Sequence, residues 1–110
     1  MKVKVTVDRP IGYIHHGHRY EVNYGFVDGV IGGDGAWQDA YILDSKIDYP
    51  VESYVGNVIA VAVRDDDVET KWIVSNEKYD AEKIYDKIKF FEQFFKTHIY
   101  LIENYPADKL

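Results

Sequence analysis

Two groups of acids and one group of imidazoles are the side chains of this chain best suited to chemistry. Asp34 and Asp39 stand five residues apart across the glycine-rich stretch Gly32-Gly33-Asp34-Gly35. If that stretch turns, both carboxylates reach one rim, the arrangement by which oxygen ligands hold a hard cation. Asp34 is also a preferred turn residue in its own right. Asp39, between Gln38 and Ala40 at the start of an apolar run, has no such ordinary use and is the stronger ligand candidate. In the second group, Asp65, Asp66, Asp67 and Glu69 put four carboxylates in five positions. Such a cluster repels itself unless water solvates it, as in any acidic turn, or a cation neutralises it. His15, His16 and His18 fall within four residues. They suit either a transition metal or a polar loop that touches phosphate through a histidine or Arg19. Neighbouring side chains in extended chain point to opposite faces, which weighs against a shared metal.

These residues need elements to position them. Tyr24–Ile31 and Gln38–Leu43 alternate apolar and polar residues and are rich in Val, Ile, Tyr and Phe, the pattern of half-buried strands. Asp34-Gly35 between them reads as a hairpin turn. Lys2–Val7 is a further strand, ended by Asp8-Arg9-Pro10 because proline cannot continue a ladder. Residues 44–55 are irregular. Asn57–Val63 is nearly continuous in apolar character, as a strand buried on both faces is, and Thr70–Val74 returns from it. From Asp80 the period changes: Ile84, Ile88, Phe91, Phe95 and Ile102 recur at helical spacing, with Asp80 as N-cap and Pro106 as the stop. Short strands and one closing helix predict a mainly β, OB-like barrel of about five antiparallel strands with a C-terminal amphipathic helix.

Composition narrows the function. At 110 residues the chain reads as a single domain, 1–110, whose 46% apolar content supplies one core. Ten tyrosines, five phenylalanines and two tryptophans make that core aromatic. The absence of cysteine excludes disulfides and thiol chemistry. A net charge of −6 argues against nucleic acid, and no apolar run reaches the roughly 18 residues of a membrane span. With no signal-peptide pattern at the N-terminus, the expected location is cytoplasmic.

Tyr24-Gly25-Phe26, followed by Asp34-Gly35-Ala36-Trp37-Gln38-Asp39, resembles the soluble (family I) inorganic pyrophosphatases. Their signature runs Tyr-Gly-Tyr/Phe, a strand, then Asp-Gly-Asp-Pro-x-Asp. The outer aspartates match; Ala36 stands for the middle one and Trp37 for the proline. The resemblance extends in order and spacing from residue 20 onward. It implies Mg²⁺, with Mn²⁺ as the alternative, held by Asp34, Asp39, Asp65 (or Asp66) and Glu69, with Asp8 standing for an acid of an early strand. It implies Asp34, Asp39 and Tyr24 as catalytic, and Lys71, Lys96 and Tyr24 as phosphate-binding. Phe95-Lys96 keeps the lysine of a Tyr-Lys pair and lacks its phenol.

The activity implied is metal-dependent hydrolysis of pyrophosphate, or of a related phosphoanhydride, by an activated water. The ligand would be pyrophosphate or another small phosphorylated molecule, and a homo-oligomer is a further expectation. Ala36 removes the carboxylate that in the resembled enzymes orients or deprotonates that water, at a typical cost of ~10²–10⁴-fold. The alternative is therefore a non-catalytic OB-like barrel that binds a metal, a phosphate ligand or a protein partner.

Overall fold

The computed structural model describes residues 1–65 and 69–110; Asp66 and Asp67 of the acidic run lie outside the described residues. The strands are β1 (Lys2–Arg9), β2 (Ile14–His15), β3 (His18–Arg19), β4 (Tyr24–Ile31), β5 (Trp37–Ile42), β6 (Ser53–Arg64), β7 (Thr70–Ser75) and β8 (Thr97–Leu101), with one helix, α1 (Ala81–Glu92), before β8. The main sheet runs β1-β4-β5-β7-β6-β8, and an additional β1–β6 pairing closes the first five of these into a barrel. Closure removes the free edges that five short strands would otherwise expose.

The two faces of the strands separate by parity. Ala40, Ile42, Trp72 and Val74 join Val5, Val27, Val58 and Val61 in one apolar cluster. Tyr41 and Ile73, one residue out of phase, join Tyr20, Tyr24, Ala60 and Ala62 in a second, together with Ile84 and Ile88 of α1. The helix thus packs on the outer face, and the first cluster fills the barrel interior. Gly25 explains the Tyr-Gly-Phe stretch: a Cβ there would lie 1.8 Å from the Thr6 carbonyl oxygen, so only glycine lets β1 and β4 close up.

Three features differ from the sequence reading. The barrel is not wholly antiparallel, because β5 and β7 pair in parallel. β8 adds a sixth strand, antiparallel to β6. The helix ends at Glu92, so Phe95, Lys96 and Ile102 lie outside it. Phe91 and Phe95 keep a helical spacing, but Thr97-His98-Ile99-Tyr100-Leu101 is rich in β-branched and aromatic residues and pairs as a strand instead. The start of the helix is as the sequence indicates: Asp80 is extended (φ −82°, ψ 168°) and its Oδ1 accepts the Lys83 amide at 2.8 Å. Among the described residues no helix is long and apolar enough to cross a membrane.

Candidate functional site

The outer face of adjacent strands builds the site. Asp39 on β5 stands opposite Lys71 on β7 in the parallel register, and Tyr24 on β4 stands opposite Arg9 at the end of β1. Asp39, Tyr41, Lys71 and Ile73 share one face by the twofold strand period. The polar pair therefore continues the strip that farther along packs against α1. Gln38, of opposite parity, donates from Nε2 to the Thr70 carbonyl at 2.7 Å and ties the start of β5 to that of β7.

Lys71 is the hub. Its Nζ donates to Asp39 Oδ2 at 2.6 Å and to Glu69 Oε1 at 2.7 Å, with its own side chain 6% exposed. Glu69 in turn shares a hydrogen bond with Asp34. That contact, helped by burial, raises the Glu69 pKa, while the same contact and the Ala36 amide hold Asp34 below the usual range. Of the two, Glu69 is the acid that takes a proton first. Asp34 reaches it from the Gly32–Ala36 turn, where Gly35 has φ 84° and Asp34 Oδ1 accepts the Ala36 amide at 3.0 Å. Burial, followed by the charge of Asp39, pushes the pKa of the Tyr24 phenol far up, so it stays a donor.

Asp8, Tyr24, Asp39, Glu69 and Lys71 border one cavity of about 360 Å³. Arg9, Arg64, His15 and His16 complete its polar wall, with Phe91 and Phe95 as the apolar part. Arg9 donates to the Tyr20 hydroxyl at 2.8 Å and lies over the Tyr24 ring, 5.3 Å from its centroid. Partial burial, followed by the charge of Asp39, raises Asp8 against the pull of Arg9.

Not every candidate converges here. Asp65 and Lys96 border a neighbouring cavity with Gln93 and Phe94, and Phe95 is the wall common to both. Asp65 pairs there with His98 Nε2 at 2.8 Å, and its amide donates to the Lys96 carbonyl at 2.9 Å. Arg19 is exposed on β3 and outside the lining of the main cavity. Among the described residues no three Asp, Glu or His side chains form a ready-made metal cage; the acids are strung around Lys71 instead. The sequence reading missed Arg9 and Arg64. Their signals were small: a base beside Asp8, and a charge closing an otherwise apolar strand.

No protein-family model and no curated protein matches the sequence. Solved structures do. The chain is similar to the inorganic pyrophosphatase of Ehrlichia chaffeensis, with 17% identity over 84% of this chain and 70% of the other, at a TM-score of 0.56. It is similar to the inorganic pyrophosphatase of Helicobacter pylori at 17% identity, covering 99% and 69%, TM-score 0.55. A structure titled an inorganic phosphatase, from Anaplasma phagocytophilum, shares 14% identity over 98% and 68%, TM-score 0.53. The fold is that of the inorganic pyrophosphatases. At this identity the likeness is one of fold, and a pyrophosphatase-like chemistry has to be argued from the side chains themselves.

Proposed function

We propose that this chain hydrolyses pyrophosphate, or a similarly compact phosphoanhydride, with the help of a divalent cation held by Asp34, Asp39 and Glu69. The observation that carries the reading is the excess of acid around Lys71: its ammonium pairs with both Asp39 and Glu69, with Asp34 linked behind Glu69, beside a protonated phenol in a cavity on a pyrophosphatase-like barrel. The donor set is all oxygen, the chemistry a hard cation takes, and a cation would draw these acids together in competition with the Lys71 ammonium that now holds Asp39 and Glu69. A bound Mg²⁺ or Mn²⁺ would supply neutralisation of phosphate oxygens and acidification of a water. Asp8 and Asp65 are candidates for further ligands, the second from the neighbouring cavity.

The remaining steps fall to the chain's own residues. Lys71 and Arg9 bind phosphate oxygens by charge-assisted hydrogen bonds. Tyr24, kept protonated, donates to the departing phosphate, where negative charge grows in the transition state. Phe91 and Phe95 exclude water from one side. Ala36 offers only a methyl group on an exposed turn, so the proton of the attacking water must go elsewhere. Asp8, the carboxylate on the cavity wall outside the Lys71 cluster, is its acceptor. Lys96, outside the main cavity, is assigned a contact with a longer phosphorylated ligand that reaches past Phe95.

The second reading, a barrel that binds the ligand without turning it over, is favoured by Ala36 and by Phe95, whose ring lies 3.7 Å from the Arg64 guanidinium carbon and presents no phenol. Phosphate release from pyrophosphate with Mg²⁺ and with Mn²⁺ decides between the two. Release abolished by Asp39→Ala supports the hydrolase. No release from folded protein, with a melting temperature raised by Mg²⁺ plus a non-hydrolysable diphosphate, establishes the binding module.

A further inference from the structure

The histidine cluster has no part in the chemistry described so far, yet it stands at the site. β2 and β3 form a two-stranded hairpin in which Ile14 faces Arg19 and His15 faces His18. His16 (φ 51°) and Gly17 (φ 79°) make its turn. Two successive left-handed residues are the hairpin turn whose usual first residue is Asn, Asp or Gly, so a histidine there is a costly choice. His18 is the anchor: its ring packs on Phe94 at 4.6 Å and against Phe91 at 6.4 Å, at the C-terminal end of α1. His15 and His16, with ring centroids 4.1 Å apart, border the same cavity as Arg9 and Lys71.

The charges around the hairpin are unevenly arranged. Arg9 comes from β1, Arg64 from β6 and Lys71 from β7, while Asp8, Asp39 and Glu69 bring the acids. Helix α1 adds Phe91, and its neighbouring acid Glu92 is already bound to Arg64. Tyr20 behind the hairpin holds Arg9. Desolvation lowers the His15 pKa, and Arg9, His16 and His18 lower it further. The cavity wall thus sets two imidazoles beside the Arg9 guanidinium, groups that meet an anion together, and an arriving anion stabilises the imidazolium form.

We infer that His15 and His16 form a protonatable clamp for a terminal phosphate of the ligand. The cavity then offers a metal-loaded diphosphate both kinds of partner, acids for the cation and imidazoles with Arg9 for the free phosphate oxygens. This rests on the reading that the site takes a phosphorylated ligand. Its consequence is that the hairpin contributes binding below the histidine range and little above it.

The test is binding of methylenediphosphonate with Mg²⁺, by calorimetry at pH 6 and pH 8, to wild type and to the double variant His15→Asn, His16→Asn. Asparagine is a usual residue at the left-handed turn position, so the variant keeps the hairpin. Comparing proteins at one pH cancels the ligand's own titration. The expected result is wild type tighter than the double variant by about tenfold at pH 6, one charge-assisted contact, with the gap closing to about twofold or less at pH 8. An equal gap at both values would mean a merely structural role and overturns the clamp, as does no gap at either. Equal, measurable binding by both proteins overturns the clamp alone; no binding by either protein at either pH overturns the phosphate reading and the clamp with it.

Discussion

Two clusters of acid and base reach one cavity, the first through Arg64 and the second through Asp39, Glu69 and Lys71, and they are built on opposite principles. Glu92 is fully buried and receives four hydrogen bonds: from Arg64 Nε at 3.0 Å and Nη2 at 2.7 Å, from the Tyr41 hydroxyl at 2.6 Å and from Thr97 Oγ1 at 2.8 Å. Both carboxylate oxygens are used, and the helix end, β5, β6 and β8 are joined. Around Lys71, by contrast, one base meets Asp39 and Glu69, with Asp34 linked behind, and the carboxylates remain partly open to solvent. A closed and balanced pair of charges holds the fold, because a buried charge is tolerable only when fully matched. An open and overcharged cluster is an unfinished one, and on that rests its proposed role as a ligand site.

Breaking each cluster should therefore give opposite readouts. Glu92→Gln removes the buried charge on which Arg64, Tyr41 and Thr97 converge and is expected to cost about 3–5 kcal/mol of stability, read as a lower denaturant midpoint. Asp39→Asn is expected to cost less than about 1 kcal/mol, since Lys71 keeps Glu69. The same change should reduce metal-dependent phosphate release by about 10²-fold or more. A stability loss at Asp39 as large as that at Glu92 would erase the distinction.

The distinction was only half legible in the sequence. Asp34 and Asp39 could be placed on one rim because the glycines and the alternation of β4 and β5 are local signals. Lys71 could be brought to them only by resemblance, since its neighbour Asp39 is 32 residues away and meets it through a parallel pairing that no local pattern announces. The barrel itself was readable from the alternation of its strands. The end of the helix was not: Phe91 and Phe95 keep its period, while the hydrogen bonds that turn the chain at Glu92 come from β5, β6 and β8. Arg64 and Glu92 carry no local sign of their pairing, because burial is a tertiary property. Sequence pattern reveals which residues are able to do chemistry; only the long-range pairing shows which of them are already satisfied.

A sharper test replaces the base in the overcharged cluster. Lys71→Met removes the cation that Asp39 and Glu69 now share, so a divalent cation no longer competes with an ammonium for those oxygens. Mn²⁺, followed by its paramagnetic resonance signal, is expected to bind about tenfold tighter to Lys71→Met than to wild type, while diphosphate binding weakens. Weaker Mn²⁺ binding in a folded variant would show that Lys71 supports the acids rather than competing for them.

The smallest effect separates the clusters by pH. The Glu92 pKa, which burial alone would raise, is brought below its ordinary 4.5 by Arg64 and Tyr41. Its stabilisation is thus fully present above 4.5 and lost as the pH falls through the lower folded value. Glu69 has the opposite sign. Its pKa is raised by Asp34 and by burial, so its charged form opposes folding at neutral pH, and protonation on the way down relieves that opposition before 4.5 is reached. In Glu69→Gln that relief disappears, and the acid side of the stability profile should fall from a higher pH than in wild type. In Glu92→Gln the steep loss below 4.5 should flatten instead. Urea midpoints taken between pH 7 and pH 3 measure both, and profiles that shift in the same direction would mean that the two carboxylates are not held in opposite ways.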